Sequence, residues 1–148
     1  MKPTTNELIQ VGHIGIRFLL ESAHTNGAVA MFEFTVPPAV KMPLPHFHKH
    51  FDETIYGVNG ILTFTVEGKT VDIAPGESFF VPRGAIHGFN NLKQTEVKAL
   101  AVITPALLGP AFFKDAAAIV NTDGPPDLHK LNAVMEKHGL VAVTPGAP

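Results

Sequence analysis

Apolar residues alternate with other residues in several short stretches that cover most of the chain before residue 105. The first clear stretch, residues 14–20, has Ile, Ile, Phe and Leu at every second position. Side chains two apart on an extended strand point to the same side of a sheet, so this alternation predicts a β-strand. The same reasoning predicts strands at residues 32–36, 62–66, 70–73, 78–81, 86–89 and 97–103.

Turn-forming residues separate these predicted strands. The pair Asn59-Gly60 predicts a tight hairpin, because both residue types accept a positive φ. Proline and glycine predict further turns at residues 75–76 and 82–84. At least seven short, closely spaced strands favour an all-β sandwich or barrel over alternating β and α units.

The pattern becomes helical after residue 105. Gly109 is followed by Pro110, and proline suits the first turn of a helix. Residues 123–126, Asp-Gly-Pro-Pro, then break the chain before a second run with apolar residues at helical spacing. This run ends near Gly139, which suits a helix C-terminus. We therefore expect two amphipathic helices that cover the barrel or contact a partner subunit.

Composition indicates one compact domain over residues 1–148, with a barrel at about 13–105 and a helical segment at about 109–139. Hydrophobic residues make up 45% of the 148 residues and charged residues 16%, which suffices for a core. A net charge of -2 without clustered Lys and Arg argues against nucleic-acid binding. No apolar stretch approaches the roughly 18 residues of a membrane span, and no secretory signal is visible, so we expect a cytoplasmic protein.

Candidate chemistry begins at His46 and His48, which project from one face of a strand about 7 Å apart. A short loop then reaches Glu53, which brings a carboxylate within range of the same point. The chain has no Cys, so only imidazole and carboxylate ligands are available for a metal. A lone His-x-His pair is more often an exposed feature than a ligand pair, but His87 follows the turn at 82–84 and offers a third imidazole.

Two spaced motifs in this region resemble those of the cupin superfamily. The first family motif has a glycine, His-x-His, a glutamate and a second glycine. It is matched here by His46, His48, Glu53 and Gly60. Its opening glycine is Val40 in this chain. The second motif is matched at all five of its positions, Gly76, Pro82, Gly84, His87 and Asn91.

The resemblance implies a double-stranded β-helix, the jelly-roll barrel of cupins, with the two α-helices at its C-terminal side. It also implies one divalent transition metal ion, Fe, Mn, Ni, Co, Cu or Zn, which suits nitrogen and oxygen ligands. The implied ligands are His46, His48, Glu53 and His87. By strand parity His50 shares their face, and we expect an exposed loop residue there, with an alternative ligand as the other interpretation.

A substrate pocket is predicted around this metal. Counting in steps of two from His87 and from Glu53 directs further side chains inward, and Gly57 is expected to leave space near the metal. The predicted pocket residues are Phe32, Ile55, Gly57, Leu62, Phe64, Phe89 and Asn91. A plain core position is the alternative interpretation for the apolar residues among them.

Within the cupins, the segments at 52–53, 81–84 and 124–127 resemble small bacterial members of a quercetin-dioxygenase-like group. This resemblance implies a dioxygenase that binds a small enolic or hydroxy-carbonyl substrate on the metal, with Glu53 as ligand and catalytic proton acceptor. A redox-neutral isomerase, lyase or decarboxylase is one alternative, because a metal also polarises carbonyl groups. A non-catalytic small-molecule-binding protein is the other, since fold does not determine function.

The strand at 97–103 predicts a homodimer. After Lys98 its apolar residues occupy both faces, whereas a strand with one wet face alternates with polar residues. Its outer face must therefore be covered. The alternative is that the C-terminal helices fold back over it within one subunit.

Overall fold

The computed structural model describes residues 6–40 and 44–143. Eleven strands and three helices lie within these ranges. The strands are β1 (Ile9–Val11), β2 (Ile14–Leu20), β3 (Ala30–Val36), β4 (His46–His48), β5 (Asp52–Asn59), β6 (Leu62–Val66), β7 (Lys69–Ile73), β8 (Ser78–Val81), β9 (His87–Asn90), β10 (Val97–Thr104) and β11 (Leu140–Ala142). The helices are α1 (Ser22–Thr25), α2 (Pro110–Val120) and α3 (Leu128–Lys137).

The strands form two antiparallel sheets. One has six strands in the order β1-β2-β3-β10-β5-β8, and the other has five in the order β11-β4-β9-β6-β7. Their alternating apolar side chains share one buried core that includes Phe18, Ile55, Phe64 and Ile103. This arrangement confirms the expected all-β double-stranded β-helix with helices at the C-terminal side.

The predicted strands are present with boundaries shifted by a few residues at most. Two further strands, β1 and β11, lie outside the region where strands were expected. The last strand, β11, returns to the barrel and pairs with β4, placing Leu140 beside His48 and Ala142 beside His46. The segment after residue 105 is therefore not only helical, because its final strand completes the five-stranded sheet.

The hairpin predicted at Asn59-Gly60 is wrong. β5 belongs to the six-stranded sheet and β6 to the five-stranded sheet, so the chain crosses between sheets at this point. Gly60 has a φ of +71°, and a Cβ there would lie 2.6 Å from the carbonyl oxygen of Glu96. A glycine is needed here because the backbone of Glu96 leaves no room for a Cβ, and not because the position forms a hairpin turn. The tight hairpin is the next turn, Glu67-Gly68, where both residues have positive φ between β6 and β7.

The two long helices close one end of the barrel. α2 begins at Pro110 as predicted and packs against β1, while α3 packs against α2 and β11. The Asp127 side chain accepts a hydrogen bond from the backbone N–H of Lys130 and caps α3. Asp115 joins the helices, with its Oδ2 3.0 Å from Nε2 of His138. Over the described ranges, no helix combines the length and apolar character needed to cross a bilayer.

Candidate metal centre

Three histidines meet inside the barrel. His46 and His48 point inward from β4, and His87 lies beside His46 in register on β9. All three side chains are buried. One ring nitrogen of each lies within 4.8 Å of those of the other two. Ring centroids are 4.6 Å apart for His46 and His87, 4.7 Å for His48 and His87, and 5.1 Å for His46 and His48. The rings form a nearly equilateral triangle around one point.

Backbone carbonyls orient two of these rings. Nδ1 of His87 lies 2.9 Å from the carbonyl oxygen of Ala85, and Nδ1 of His46 lies 3.3 Å from that of Leu44. A carbonyl oxygen only accepts, so Nδ1 carries the proton in both rings. The Nε2 atoms of these two rings therefore keep their lone pairs, which is the form that binds a metal.

Aromatic neighbours and a turn hold the histidines in place. Phe51 stacks on His48 at 4.4 Å, and Phe64 lies nearly parallel to His87 at 6.1 Å. The backbone N–H of Gly84 donates to the carbonyl oxygen of His48 over 2.8 Å. Gly84 has a φ of +85°, which favours glycine. The Pro-x-Gly turn at residues 82–84 thus holds β4 through this hydrogen bond, and it also precedes the strand that carries His87.

Burial keeps the histidines neutral. It is the main cause that lowers the pKa of His46 to about 3 and of His48 to about 2, and the neighbouring histidines add to both shifts. Burial also lowers the pKa of His87. Near neutral pH, a metal therefore need not displace a second proton from any of the three rings.

Glu53 approaches from the opposite sheet. It lies on β5, and its Oε2 is 3.8 Å from Nε2 of His48. The residue is only 9% exposed, and burial raises the pKa of its carboxyl to about 7. A cation beside it favours the carboxylate. Three neutral imidazoles and one adjacent carboxyl fit the divalent transition metals that prefer nitrogen and oxygen ligands. Among residues 6–40 and 44–143 the three histidines alone form the compact ligand cluster, so Glu53 as a fourth ligand stays a prediction.

A cavity of about 160 Å³ extends from the histidines to the C-terminal helices. Its polar lining residues are His46, His48, Glu53 and His87. The other side chains of the wall are aliphatic, aromatic or thioether groups. The barrel contributes Val11, Ile14, Ile16, Phe32, Phe34 and Phe89 among others. The helical side contributes Leu108, Phe112, Phe113, Ala116, Leu131 and Met135 among others. We call this second set the helical cap.

Of the predicted pocket residues, the structure places Phe32 and Phe89 on the cavity wall. Ile55, Leu62 and Phe64 are buried in the core without lining the cavity, which is the alternative considered for them. The expectation that Gly57 leaves space near the metal is wrong. A Cβ at Gly57 would lie 2.3 Å from the carbonyl oxygen of Ala74, so backbone already fills that space.

Asn91 also lies away from the cavity and has a structural role. It is fully buried, and its Nδ2 donates to the carbonyl oxygens of Val36, Pro37 and Thr95. Its backbone N–H donates to the carbonyl oxygen of Val40. The second motif therefore ends on an asparagine that ties two loops together. Counting in steps of two from His87 placed Asn91 in the pocket, but β9 ends at Asn90. The alternation of a strand therefore does not apply to Asn91.

Two polar residues beside the site are explained by the loops. His50 is exposed, because residues 49–50 leave the strand before Phe51 turns back into the core. Arg83 makes two side-chain hydrogen bonds to Asp52, through Nε at 3.1 Å and Nη2 at 3.0 Å. These bonds lower the pKa of Asp52. The pair joins the turn at 82–84 to the start of the strand that carries Glu53, a contact not foreseen from the sequence.

The helical cap was also missed as part of the site. Its apolar spacing was visible in the sequence, but spacing alone does not say which surface a helix covers. The structure directs Phe112, Ala116, Leu131 and Met135 into the barrel mouth, where all four are buried.

Comparison with known proteins supports this description. A cupin domain model matches residues 32–103. Quercetin 2,3-dioxygenase of Bacillus subtilis (strain 168) is 25% identical over 96 residues, which are 65% of this chain and 28% of that protein. An uncharacterized protein of Aquifex aeolicus (strain VF5) is 30% identical over 66 residues, 45% of this chain and 54% of that one. The chain thus spans only about a quarter to a half of these relatives.

Solved structures share the fold. A predicted oxalate decarboxylase from Thermotoga maritima is 30% identical with a TM-score of 0.60, and the match covers 68% of this chain and 92% of that one. KdgF from Halomonas sp. is 19% identical with a TM-score of 0.60, over 67% of this chain and 86% of that chain. With the paired motifs, the three-histidine cluster and the two-sheet barrel, these matches establish that the chain belongs to the cupin superfamily.

Proposed function

We propose that this protein is a dioxygenase that holds one divalent transition metal ion on His46, His48, His87 and Glu53. Its substrate is a small enolic or hydroxy-carbonyl compound. O₂ is the oxidant in this reaction, and both of its oxygen atoms enter the product. The observation that carries the proposal is the three-histidine cluster with one buried carboxyl at the end of an apolar cavity. The similarity to a quercetin 2,3-dioxygenase supports it.

When bound, the metal would supply Lewis acidity and a redox partner for O₂. The protein would position the metal and the substrate and limit the access of water to them. His46, His48, His87 and Glu53 would supply four ligands, which would leave positions free on a six-coordinate ion for a substrate that enters from the cavity these residues line. The helical cap covers part of the barrel mouth, and the lower access of water strengthens electrostatic interactions within the site.

Glu53 is the proposed proton acceptor. Burial raises the pKa of its carboxyl to about 7 in the metal-free protein, and a bound cation favours the carboxylate, which is the form that accepts a proton. A substrate enol that transfers its proton to Oε of Glu53 becomes an enolate, which is richer in electrons and easier to oxidise. No lysine, arginine, tyrosine or cysteine lines the cavity within the described part of the chain, so Glu53 is the acid–base group nearest the histidines there.

A redox-neutral decarboxylase is the second candidate function. It is favoured by the 30% identity to the predicted oxalate decarboxylase from Thermotoga maritima. The same residues would then polarise a carboxylate substrate, and carbon dioxide would leave without net oxidation.

Oxygen uptake separates the two candidates. Protein purified without added metal is analysed for bound metals, and O₂ consumption is then followed with enolic and hydroxy-carbonyl compounds. Uptake of O₂ with product formation supports the dioxygenase. Turnover that proceeds equally well without O₂ supports the decarboxylase. Binding without turnover would contradict both and favour a binding protein.

Glu53→Gln tests the role of the carboxyl. We expect it to lower the rate of O₂ uptake by about 100-fold or more, as removal of a general base does. Glu77→Gln is the matched control, because that carboxyl lies outside the barrel and accepts from the backbone N–H of Ala74. Equal rates for Glu53→Gln and the parent protein would contradict the proposed mechanism.

We also propose that the protein forms a homodimer through the outer face of the six-stranded sheet. Tyr56 and Phe80 are 43% and 55% exposed there, and the partly buried Leu100 lies beside Tyr56 in register. The C-terminal helices pack against β1 and β11, at the mouth of the barrel, rather than on this face. A second copy of the chain is the proposed cover for this apolar patch.

Sedimentation equilibrium at micromolar concentration tests the dimer. We expect a mass of about twice the 15.8 kDa of one chain, and Phe80→Lys should shift it towards the monomer. Leu92→Lys is the control, because Leu92 is also 55% exposed but lies in the loop after β9 and not on this sheet. A monomeric parent protein would contradict the dimer.

A further inference from the structure

We infer that the substrate has a neutral hydrocarbon body, about the size of one phenyl ring, attached to a single metal-binding head. Carboxylates, phosphates and sugars are excluded as the body. This inference rests on the proposed metal-dependent function of the same cavity and specifies its substrate class.

The chemistry of the cavity wall carries the inference. The only polar residues that line the cavity, among those the structure describes, are His46, His48, Glu53 and His87, and they lie together at one end. The rest of the wall is built from aliphatic, aromatic and methionine side chains. A ligand therefore meets polar partners only at its head. The body of the ligand must enter apolar surroundings.

Polar bodies are disfavoured by this wall. A buried carboxylate or phosphate needs a cation or several hydrogen-bond donors to replace its hydration, and the described wall has no lysine or arginine. A sugar needs partners for each hydroxyl group, and unmade hydrogen bonds of buried groups are costly. The wall offers neither outside the histidine end.

The size of the cavity limits the body further. Its volume is about 160 Å³, and an apolar protein cavity of about 150 Å³ accommodates one benzene molecule. The space therefore suits a single ring or a branched chain of similar volume. A three-ring flavonol is larger than this space and would extend out of the open side of the cavity.

The phenylalanine side chains that line the cavity favour an aromatic ring as the body of the substrate. Phe113 of α2 meets Phe32 of β3 edge-on, with ring centroids 5.1 Å apart, and Phe112 meets Phe113 at 4.9 Å in the same manner. Phe34 and Phe89 lie 5.2 Å apart on the barrel side. A further aromatic ring between these groups can form offset or edge-to-face contacts with both sets.

A matched pair of probes tests the body separately from the head. Benzoylacetone and 5,7-dioxooctanoate share a β-diketone head, but one carries a phenyl group and the other a propyl chain that ends in a carboxylate. Binding to the metal-loaded and metal-free proteins is measured by calorimetry without O₂. We expect benzoylacetone to bind at least tenfold more tightly than 5,7-dioxooctanoate to the loaded protein. We also expect it alone to raise the melting temperature of the metal-free protein.

A pair of substitutions on one helix tests the location. Ala116 is buried on the cavity side of α2, whereas Ala118 is exposed on the solvent side of the same helix. Ala116→Leu fills part of the cavity and should weaken benzoylacetone binding at least tenfold, with bound metal unchanged. Ala118→Leu makes the same chemical change and should leave binding as in the parent protein.

The outcomes separate this inference from the proposed dioxygenase. Equal or tighter binding of 5,7-dioxooctanoate would overturn the inference, whatever the protein does with O₂. Equal binding by Ala116→Leu and Ala118→Leu would also overturn it. Preferential binding of benzoylacetone that Ala116→Leu weakens would support the inference, even if no O₂ is consumed. In that last case only the proposed dioxygenase would fail.

Discussion

The two ends of the cavity are built in opposite ways. At the barrel end, three histidines and Glu53 come from both sheets, and backbone hydrogen bonds fix two of the imidazole rings. At the other end, the helical cap presents only apolar side chains from α2, α3 and the segment before them. The cap is joined to the barrel by packing and by the return of β11.

This difference separates two requirements of a binding site. A metal needs particular donor atoms at fixed distances, so the barrel end tolerates little change. An apolar body needs only volume and shape, which different apolar side chains can provide. We therefore expect substitutions at the barrel end to remove function, and substitutions in the cap to alter stability or selectivity.

The strongest test of this comparison removes one donor. His48→Ala should lower metal affinity by more than about 100-fold, the upper range for loss of an outer-shell partner, because it removes a ligand itself. The apolar core does not depend on the ion, so the variant should still fold. Metal content by elemental analysis and folding by circular dichroism check both points. His50→Ala is the control and should bind metal normally. An unfolded His48→Ala would show that the ion is needed for structure.

The second test measures the effect of the buried Glu53 carboxyl on stability in the metal-free protein. Burial raises the pKa of Glu53 from 4.5 to about 7 in the folded state, so its contribution to stability is full below pH 4.5. That contribution is lost as the pH rises through 7, at a cost of about 3 kcal/mol. Relative to the parent protein, Glu53→Gln should therefore gain roughly 2.5 kcal/mol in free energy of unfolding when the pH rises from 5 to 8, because part of the loss has already occurred at pH 5.

Urea unfolding of both chelator-treated proteins at the two pH values measures this difference. The histidines are common to both proteins, so their own titration cancels. A difference that does not change with pH would contradict a buried, protonated carboxyl at Glu53.

The third test addresses the cap. Leu131 is buried and lines the cavity, so Leu131→Ala should lower the free energy of unfolding by about 2 kcal/mol. Leu128→Ala on the same helix should change it by less than about 0.5 kcal/mol, because Leu128 is 51% exposed. Urea unfolding gives both values. Metal content should remain that of the parent protein, and its loss in Leu131→Ala would show that the two ends are not independent.

The smallest expected effect concerns β11, the strand that connects the helical cap to β4 at the barrel end of the cavity. Hydrogen bonds flank Val141, from Lys49 N–H to the Gly139 carbonyl and from Val143 N–H to the Pro45 carbonyl. In an antiparallel pair such bonds recur at every second residue, so Val141 bonds to β4 and Ala142 does not. Val141→Pro should weaken metal binding about tenfold, or roughly 1.4 kcal/mol, by loosening the strand that holds two ligands.

Ala142→Pro is the control for this substitution, because its N–H points away from β4 at the edge of the sheet. Competition with a metal-sensitive dye measures both affinities. Equal affinities would mean that β11 does not support the metal strand.

The barrel end could be predicted from the sequence and the cap could not. Strand parity places His46 and His48 on one face, and the resemblance to the two cupin motifs adds His87, which meets His46 only through pairing between distant strands. Local rules failed where a distant segment decides the structure. Gly57 and Gly60 face the backbones of Ala74 and Glu96, which no local pattern reveals.

The same limit explains the missed strands and the missed cap. β11 is a strand because β4 has an unpaired edge, and its three residues show no alternation of their own. The cap residues were recognised as apolar, but their position follows from the path of the chain after residue 105. Pairing over long sequence separation cannot be read from short periodicities.

The late return of β11 has a consequence for synthesis of the chain. The inner strand β4 meets β9 only at His46, so residues 140–142 supply most of its backbone pairing. While residues 140–142 are still unmade, β4 presents unpaired N–H and C=O groups along one side. Such an edge invites pairing with another chain. A nascent or clipped protein that lacks this segment therefore exposes its histidine strand to association with neighbours, and pairing with β11 removes that exposure.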